Sequence, residues 1–182
     1  MDRQPTLQSE RLLLRPLRPG DWDALYAIAS DPLIWEIHPA HDRWQEPVFR
    51  AFFEDALAQA GALAVIDKGS GGIIGSSRFQ NHDPRNGGSV EIGWTFLARS
   101  HWGGGYNAEM KRAMLVHALA TVERVSFRVG ETNGRSRRAM EKIGGRLTDR
   151  VDITELPAGP VRHVIYEIDR ASFANGPLSR GT

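Results

Sequence analysis

The chain has 182 residues, 41% of them hydrophobic and 25% charged, with 23 Lys and Arg against 22 Asp and Glu. That is enough for one ordinary domain burying about two-thirds of its unfolded surface, and the balanced charge gives no field toward nucleic acid or a bilayer. There is no Cys, which excludes disulfides, thiolate metal sites and a cysteine nucleophile. No apolar run reaches membrane-span length and MDRQPTLQSER does not read as a signal peptide, so a cytoplasmic location is expected.

Leu12, Leu14 and Leu17 alternate with arginines and predict a first strand ending near Pro16. Pro19-Gly20-Asp21 opens a helix running to about Ala29, with Trp22, Leu25, Tyr26 and Ile28 on its apolar face. Residues 30–46 form a loop holding two Trp, two His and several carboxylates. A second helix starts near Pro47, carries Val48, Phe49, Phe52, Phe53, Ala56 and Leu57 at helical spacing, and ends at Gly61. Residues 63–66, 73–79 and 89–97 then read as three antiparallel strands joined by turn-rich segments.

A third helix is expected from Asn107 to about Thr121, then a strand around Val125, Phe127 and Val129, and a helix over 134–143. Two last strands, 146–156 and 161–168, are separated by Leu156-Pro157-Ala158-Gly159-Pro160. The order implies an α+β fold with one mixed, mostly antiparallel central sheet flanked by helices. A single domain covers residues 1–174, and residues 175–182 read as a frayed tail.

The stretch from strand 89–97 into the third helix carries the strongest chemical signal. Gly103-Gly104-Gly105 leaves backbone N–H groups unshielded just before a helix start, where free donors and the helix dipole attract phosphate. Gly103-x-Gly105-x-x-Ala108 formally satisfies the dinucleotide fingerprint. It does not follow its strand at once, however, and that strand alternates and carries Glu91, unlike a buried parallel strand. No Gly-Lys-Ser/Thr follows, against a P-loop. A second patch, Thr132-Asn133-Gly134-Arg135-Ser136-Arg137-Arg138, puts three arginines into a helix start, where cations oppose the dipole unless an anion compensates. Together the two patches point to a ligand with several phosphates. The plainer alternatives are an unliganded glycine turn and arginines splayed into water.

EIGWTF…HWGGGYNAEMKRAML followed by ETNGRSRRAMEKIGG resembles the GNAT superfamily of N-acetyltransferases. With QSERLLLRPLRPGDWDAL and GPVRHVIYEI, the chain is most similar to the RimJ/RimL-like branch, which acetylates ribosomal-protein N-termini. The resemblance implies a GNAT fold and acetyl-CoA as co-substrate. Trp94, Thr95, Phe96 and Leu97 would bind the pantetheine arm. Trp102, Gly103, Gly104, Gly105, Tyr106, Asn107 and Ala108 would hold the pyrophosphate, and Asn133, Ser136 and Arg138 the far side of the arm. Trp102 and Asn107 depart from the family's loop pattern, Met140 stands where many relatives carry a tyrosine acid, and Gly145 replaces an aromatic.

Acetyl transfer to an amine needs a neutral amine, a stabilised oxyanion and a proton for the thiolate, so a carboxylate or His is sought as base. The resemblance assigns the thiolate to Ser136 and the base to Glu155, with Glu91 as competitor. Trp35, Trp44 and Glu155 are expected to line the acceptor channel. His38, His41 and Asp42 do not make a metal site, because Pro39 breaks any shared helical face and the transfer needs no metal. Asp31, Glu36, Asp42, Glu46 and Glu155 suggest a cationic amine, a protein N-terminus or a small molecule. Binding of acyl-CoA without turnover is the alternative function, and a homodimer is left open beside a monomer.

Overall fold

The computed structural model describes residues 1–156 and 159–179. Its eight strands form one sheet: β1 (Leu7–Gln8), β2 (Leu12–Pro16), β3 (Ala62–Asp67), β4 (Ile73–Asp83), β5 (Ser89–Leu97), β6 (Arg124–Gly130), β7 (Arg146–Leu156) and β8 (Gly159–Asp169). The spatial order is β1-β2-β3-β4-β5-β6-β8-β7. Neighbours are antiparallel except β5 and β6, which run parallel. The helices are α1 (Trp22–Ala29), α2 (Glu46–Ala58), α3 (Tyr106–Leu119), α4 (Gly134–Lys142) and α5 (Arg170–Ala174).

Two apolar clusters hold the layers together. Phe49, Phe53 and Ala56 of α2 fall on one helical face and pack with Leu25 and Ala29 of α1, Trp35 and Phe96. Met110, Met114, Leu115 and Ala118 of α3 pack with Leu12 and Leu14 of β2, Ile92 of β5, Phe127 of β6 and Tyr166 of β8. The five residues 62–66 of β3 are all buried, as their unbroken apolar run requires of a strand covered on both faces. The turn from β2 into α1 is fixed by Asp21, whose carboxylate accepts from both terminal nitrogens of Arg15 (2.8 and 2.7 Å) and from the Arg18 N–H (2.9 Å).

The feature that shapes the site is a bulge in β5. Arg78 pairs with Gly93 and Ser76 with Phe96, so Trp94 and Thr95 together oppose Ser77. Trp94 takes φ +51, a left-handed value that a bulky residue adopts only when its surroundings hold it there. Bulging bends a strand and sharpens its twist. Pairing of β5 with β6 stops at Glu91 and Ser126, and beyond that point the two strands part.

β1 and α5 have no counterpart in the sequence reading, being only 2 and 5 residues long. The expectation of a frayed end from Asn175 meets Leu178, which is buried in the α3 cluster and whose carbonyl accepts from Arg112 Nε at 3.1 Å. Residues 180–182 and two residues of the expected β7–β8 turn, Pro157 and Ala158, lie outside the described residues. No helix of the described residues is long and apolar enough to cross a membrane.

Candidate active site

The gap between the parted strands is a cleft of about 510 Å3, walled by residues 92–97 of β5 and 127–130 of β6. One edge of β5 bonds to β4; the other, past Glu91, has no strand partner among the described residues and borders the cleft. The glycine turn and the start of α4 form one end. Trp35, His38, Pro39 and His163 line the cleft as well.

At the glycine turn, Gly103 and Gly105 take φ +78 and +83, values that glycine adopts without the penalty a Cβ brings. The first bond closing α3 runs from Glu109 N to the Gly105 carbonyl (3.0 Å), so the N–H groups of residues 103–108 have no backbone acceptor among the described residues. Gly105 is the N-cap, with no side-chain cap; Asn107 lies inside the first turn rather than capping it. The turn is pinned from behind by Arg11. Its guanidinium donates to the Gly104 carbonyl (3.0 Å) and to Glu109 (2.7 Å), and lies 4.2 Å from the Tyr106 ring centre. Burial opposes ionisation of Glu109, but hydrogen bonds from the Arg11 backbone, Ser9 and the Arg11 side chain hold its carboxyl below the ordinary value.

Across the cleft, Asn133 caps α4 by accepting from Ser136 N (3.1 Å). Arg135, Arg138 and Lys142 line the same end with His101. No carboxylate lines the cleft among the described residues, so the charge facing it is positive. Free donors on a glycine turn opposite three cations fit a pyrophosphate and its neighbouring phosphate, and the unpaired edge of β5 fits an amide-bearing arm.

The expected site residues divide as follows. Trp94, Thr95, Phe96, Leu97, Trp102, Gly103, Gly105, Asn107, Ala108, Asn133, Ser136, Arg138 and Trp35 line the cleft. Gly104 and Tyr106 support the turn without lining it. Trp35 is buried, donating Nε1–H to the Ala29 carbonyl at 2.7 Å, whereas Trp44 is 41% exposed and away from the cleft. Glu155 is exposed, paired with Pro160 on the face of the hairpin opposite to Asp152 and Thr154. Two of the four acidic loop residues are engaged elsewhere: Asp31 binds Arg99 (2.5 Å) and Glu46 binds Arg50 (2.6 Å). His38 Nδ1 accepts from Ala40 N (3.0 Å), a local turn, and no group of three or more His, Asp or Glu converges among the described residues.

Glu91 sits one layer behind the cleft. Burial pushes its carboxyl up, while Asn81 Nδ2 (2.8 Å) and Arg128 Nε (3.6 Å) pull it back toward ionisation. Arg128 also donates to Asp152 (2.8 Å) and Thr154 (3.2 Å), and it borders the cleft beside His163. His163 is held below the ordinary histidine value by burial and then by Arg128, so its imidazole is neutral at pH 7. Its partner across the cleft, His38, is driven by burial to about 3.

A family model described as the acetyltransferase (GNAT) domain matches residues 11–146. The chain belongs to the GNAT acetyltransferase family. This GNAT chain is 29% identical to a protein of Bacillus licheniformis named uncharacterized N-acetyltransferase p20, over 79% of the chain and 92% of that protein. Its fold matches a GCN5-related N-acetyltransferase from Brucella melitensis, with TM-score 0.81 and 20% identity over 93% of this chain and 80% of that one. RimJ of Mycobacterium smegmatis, solved in complex with CoA-disulfide, matches with TM-score 0.72 at 18% identity, over 96% and 92% of the two chains. The chain is an N-acetyltransferase with acetyl-CoA as co-substrate, on the mostly antiparallel GNAT sheet expected of it.

Three residues of this GNAT site escape the sequence reading, Arg128, His163 and Lys111, whereas His38 is weighed there only as a metal ligand. Arg128 and His163 lie in strands with no local motif. Lys111 reads as half of a charged Lys-Arg pair on a helix, yet its side chain is fully buried and lines the cleft.

Proposed function

We propose that the enzyme acetylates a primary amine by direct attack in a ternary complex, with the amine entering at the Trp35, His38 and His163 end. Acetyl-CoA supplies the activated acetyl group. The protein's part is to hold the amine neutral beside it and to take the proton released on attack. His163 is the base in this reading, and the observation that carries it is the placement of its imidazole on the cleft wall beside Arg128, where burial favours the neutral form. Glu91 is the second reading, favoured by its raised carboxyl and by its Oε1, which lies 3.4 Å from where a Gly93 Cβ would stand. From behind Gly93 it would act through water.

Among acceptors we assign a peptide N-terminus ahead of a polyamine. With no carboxylate on the cleft wall among the described residues, nothing described there would hold a second ammonium. An α-amino group near 7.7–8.0 yields its neutral form at pH 7 far more readily than a lysine near 10.4. The similarity to the RimJ/RimL-like branch supports the same choice.

The test is release of free CoA thiol with N-terminal peptides, polyamines and aminoglycosides as acceptors. His163→Gln should cut turnover by a factor of about 10² to 10⁴ and remove the activity loss seen as pH falls through the imidazole value. If Glu91→Gln does this and His163→Gln does not, the base is Glu91. A polyamine preferred over every peptide contradicts the acceptor assignment.

A further inference from the structure

Lys111 is unusual on chemical grounds. It lies in the second turn of α3, a helix face otherwise filled by Met110, Met114 and Leu115, and only 2% of it is exposed. Its Nζ donates to Thr95 Oγ1 at 2.6 Å and lies 3.3 Å from Ser77 Oγ, and those two hydroxyls are 2.8 Å apart. Thr95 is a bulge residue of β5, and Thr95 and Lys111 both line the cleft where the strands have parted.

The groups facing this amine are few. β4 contributes the Ser77 hydroxyl, β5 the Thr95 hydroxyl, and β6 the Phe127 ring at 5.8 Å. Met140 and Ile143 of α4 border the same cleft and are apolar. The charged neighbours on α3 itself are committed, Glu109 to Arg11 and Arg112 to the Leu178 carbonyl. A buried ammonium with no carboxylate partner is costly, and replacing it by Met or Leu would remove that cost. Its presence beside the reacting cleft calls for a use.

We propose that Lys111 is a catalytic residue of the acetyl transfer, donating its Nζ proton to the sulfur as the C–S bond breaks. The inference rests on acetyl-CoA binding along β5. In the step, the amine nitrogen forms its bond to the acetyl carbon and gives its proton to the base. The C–S electron pair passes to sulfur, which takes the Nζ proton and leaves as CoA thiol; Lys111 remains neutral until solvent reprotonates it. Thr95 and Ser77 orient Nζ in both states, since each hydroxyl can accept or donate.

Magnitudes favour this donor over Ser136. Burial lowers the Lys111 ammonium to about 7, below an ordinary thiol near 8.5, so the proton moves downhill to sulfur. A serine hydroxyl is a far weaker acid and would move its proton uphill. Met140 of α4 borders the same cleft and offers no proton to compete.

The experiment compares wild type, Lys111→Met and Lys111→Arg by kinetics from pH 6 to 9, and by calorimetry with CoA and with desulfo-CoA. Lys111→Met should lower kcat about a hundredfold while the KM for acetyl-CoA stays within a few-fold. The donor must be protonated, so wild-type kcat should fall as pH rises above about 7, and that fall should vanish in Lys111→Met. Lys111→Arg should not recover turnover, because a guanidinium does not release its proton. Wild type should bind CoA more tightly than desulfo-CoA, and Lys111→Met should bind the two alike.

Retained kcat and an unchanged basic limb in Lys111→Met overturn the proposal, as does recovery by Lys111→Arg. Equal binding of CoA and desulfo-CoA by the wild type sinks Lys111 alone. Failure of the wild type to bind CoA at all sinks the acetyl-CoA reading with it.

Discussion

The Arg135 guanidinium lies over the Trp102 ring, 4.2 Å from its centre, and donates to the Ile34 carbonyl at 3.0 Å. One side chain from the start of α4 therefore ties the glycine turn to the loop after α1. Arginine over tryptophan is worth about 0.5–2 kcal/mol, depending on exposure. All three residues line the cleft, so the contact joins its wall at the glycine turn to its wall at the loop after α1.

Arg135→Ala should accordingly raise the KM for acetyl-CoA by roughly five- to thirtyfold, as loss of about 1–2 kcal/mol requires. Arg135→Lys should not restore it, since an ammonium lacks the planar fork that stacks and donates together. Steady-state kinetics on both variants decide the matter. An unchanged KM in Arg135→Ala would show that the contact does not hold that wall.

At the other end, Gly130 is packed against Pro39. A Cβ on Gly130 would stand 2.5 Å from Pro39 Cγ, and a proline ring has little room to yield. Gly130→Ala should push the acceptor loop outward at a cost of about 1–3 kcal/mol. The melting temperature should fall by roughly 2–4 °C per kcal/mol. The acceptor KM should rise while calorimetric affinity for CoA holds, which separates the two ends of the cleft.

Much of this is legible in the chain itself. The glycines before α3 are a local signal, and local signals survive folding. The apolar spacing of Phe49, Phe53 and Ala56 marks a buried helix face for the same reason. What escapes depends on contacts between elements distant in sequence. Glu155 is matched by its distance from Gly159, but strand parity turns Asp152 and Thr154, not Glu155, toward Arg128. Lys111 is polar by type, and only the packing of α3 on the sheet shows that it is buried. The acidic residues of 30–46 look like an attractor for cations, but Asp31 and Glu46 are bound to Arg99 and Arg50, and none of the loop's carboxylates lines the cleft among the described residues.

The acceptor KM should therefore be nearly insensitive to ionic strength. The two loop carboxylates in ion pairs exert little net field, and the cleft wall carries none. Kinetics with the best acceptor at two salt concentrations check this. A KM that climbs steeply with salt would restore electrostatic capture of a cation.

Lys111 should also leave a mark on stability. Burial lowers its folded value to about 7, against about 10.4 in the unfolded chain, so between these limits the unfolded state holds the extra proton. Stability then rises with pH across that window, and the penalty is full below it. Lys111→Met should be more stable than wild type at pH 6, and its advantage should shrink between pH 7 and 10. The limiting slope is about 1.4 kcal/mol per pH unit, or roughly 3–6 °C in melting temperature. A pH-independent difference would contradict the lowered value.

The most direct measurement is calorimetric titration of CoA into wild type and Gly105→Val, with melting curves of both. Wild type should bind one CoA per chain and melt higher as CoA is added, by mass action. Gly105 sits at φ +83 with Arg11 Nη2 3.3 Å from its Cβ position. A valine there should cost about 1–2 kcal/mol of strain, leave the fold cooperative, and abolish both the heat of binding and the CoA-dependent rise. Absence of CoA binding by the wild type, or undiminished binding by Gly105→Val, would contradict a phosphate site at the glycine turn.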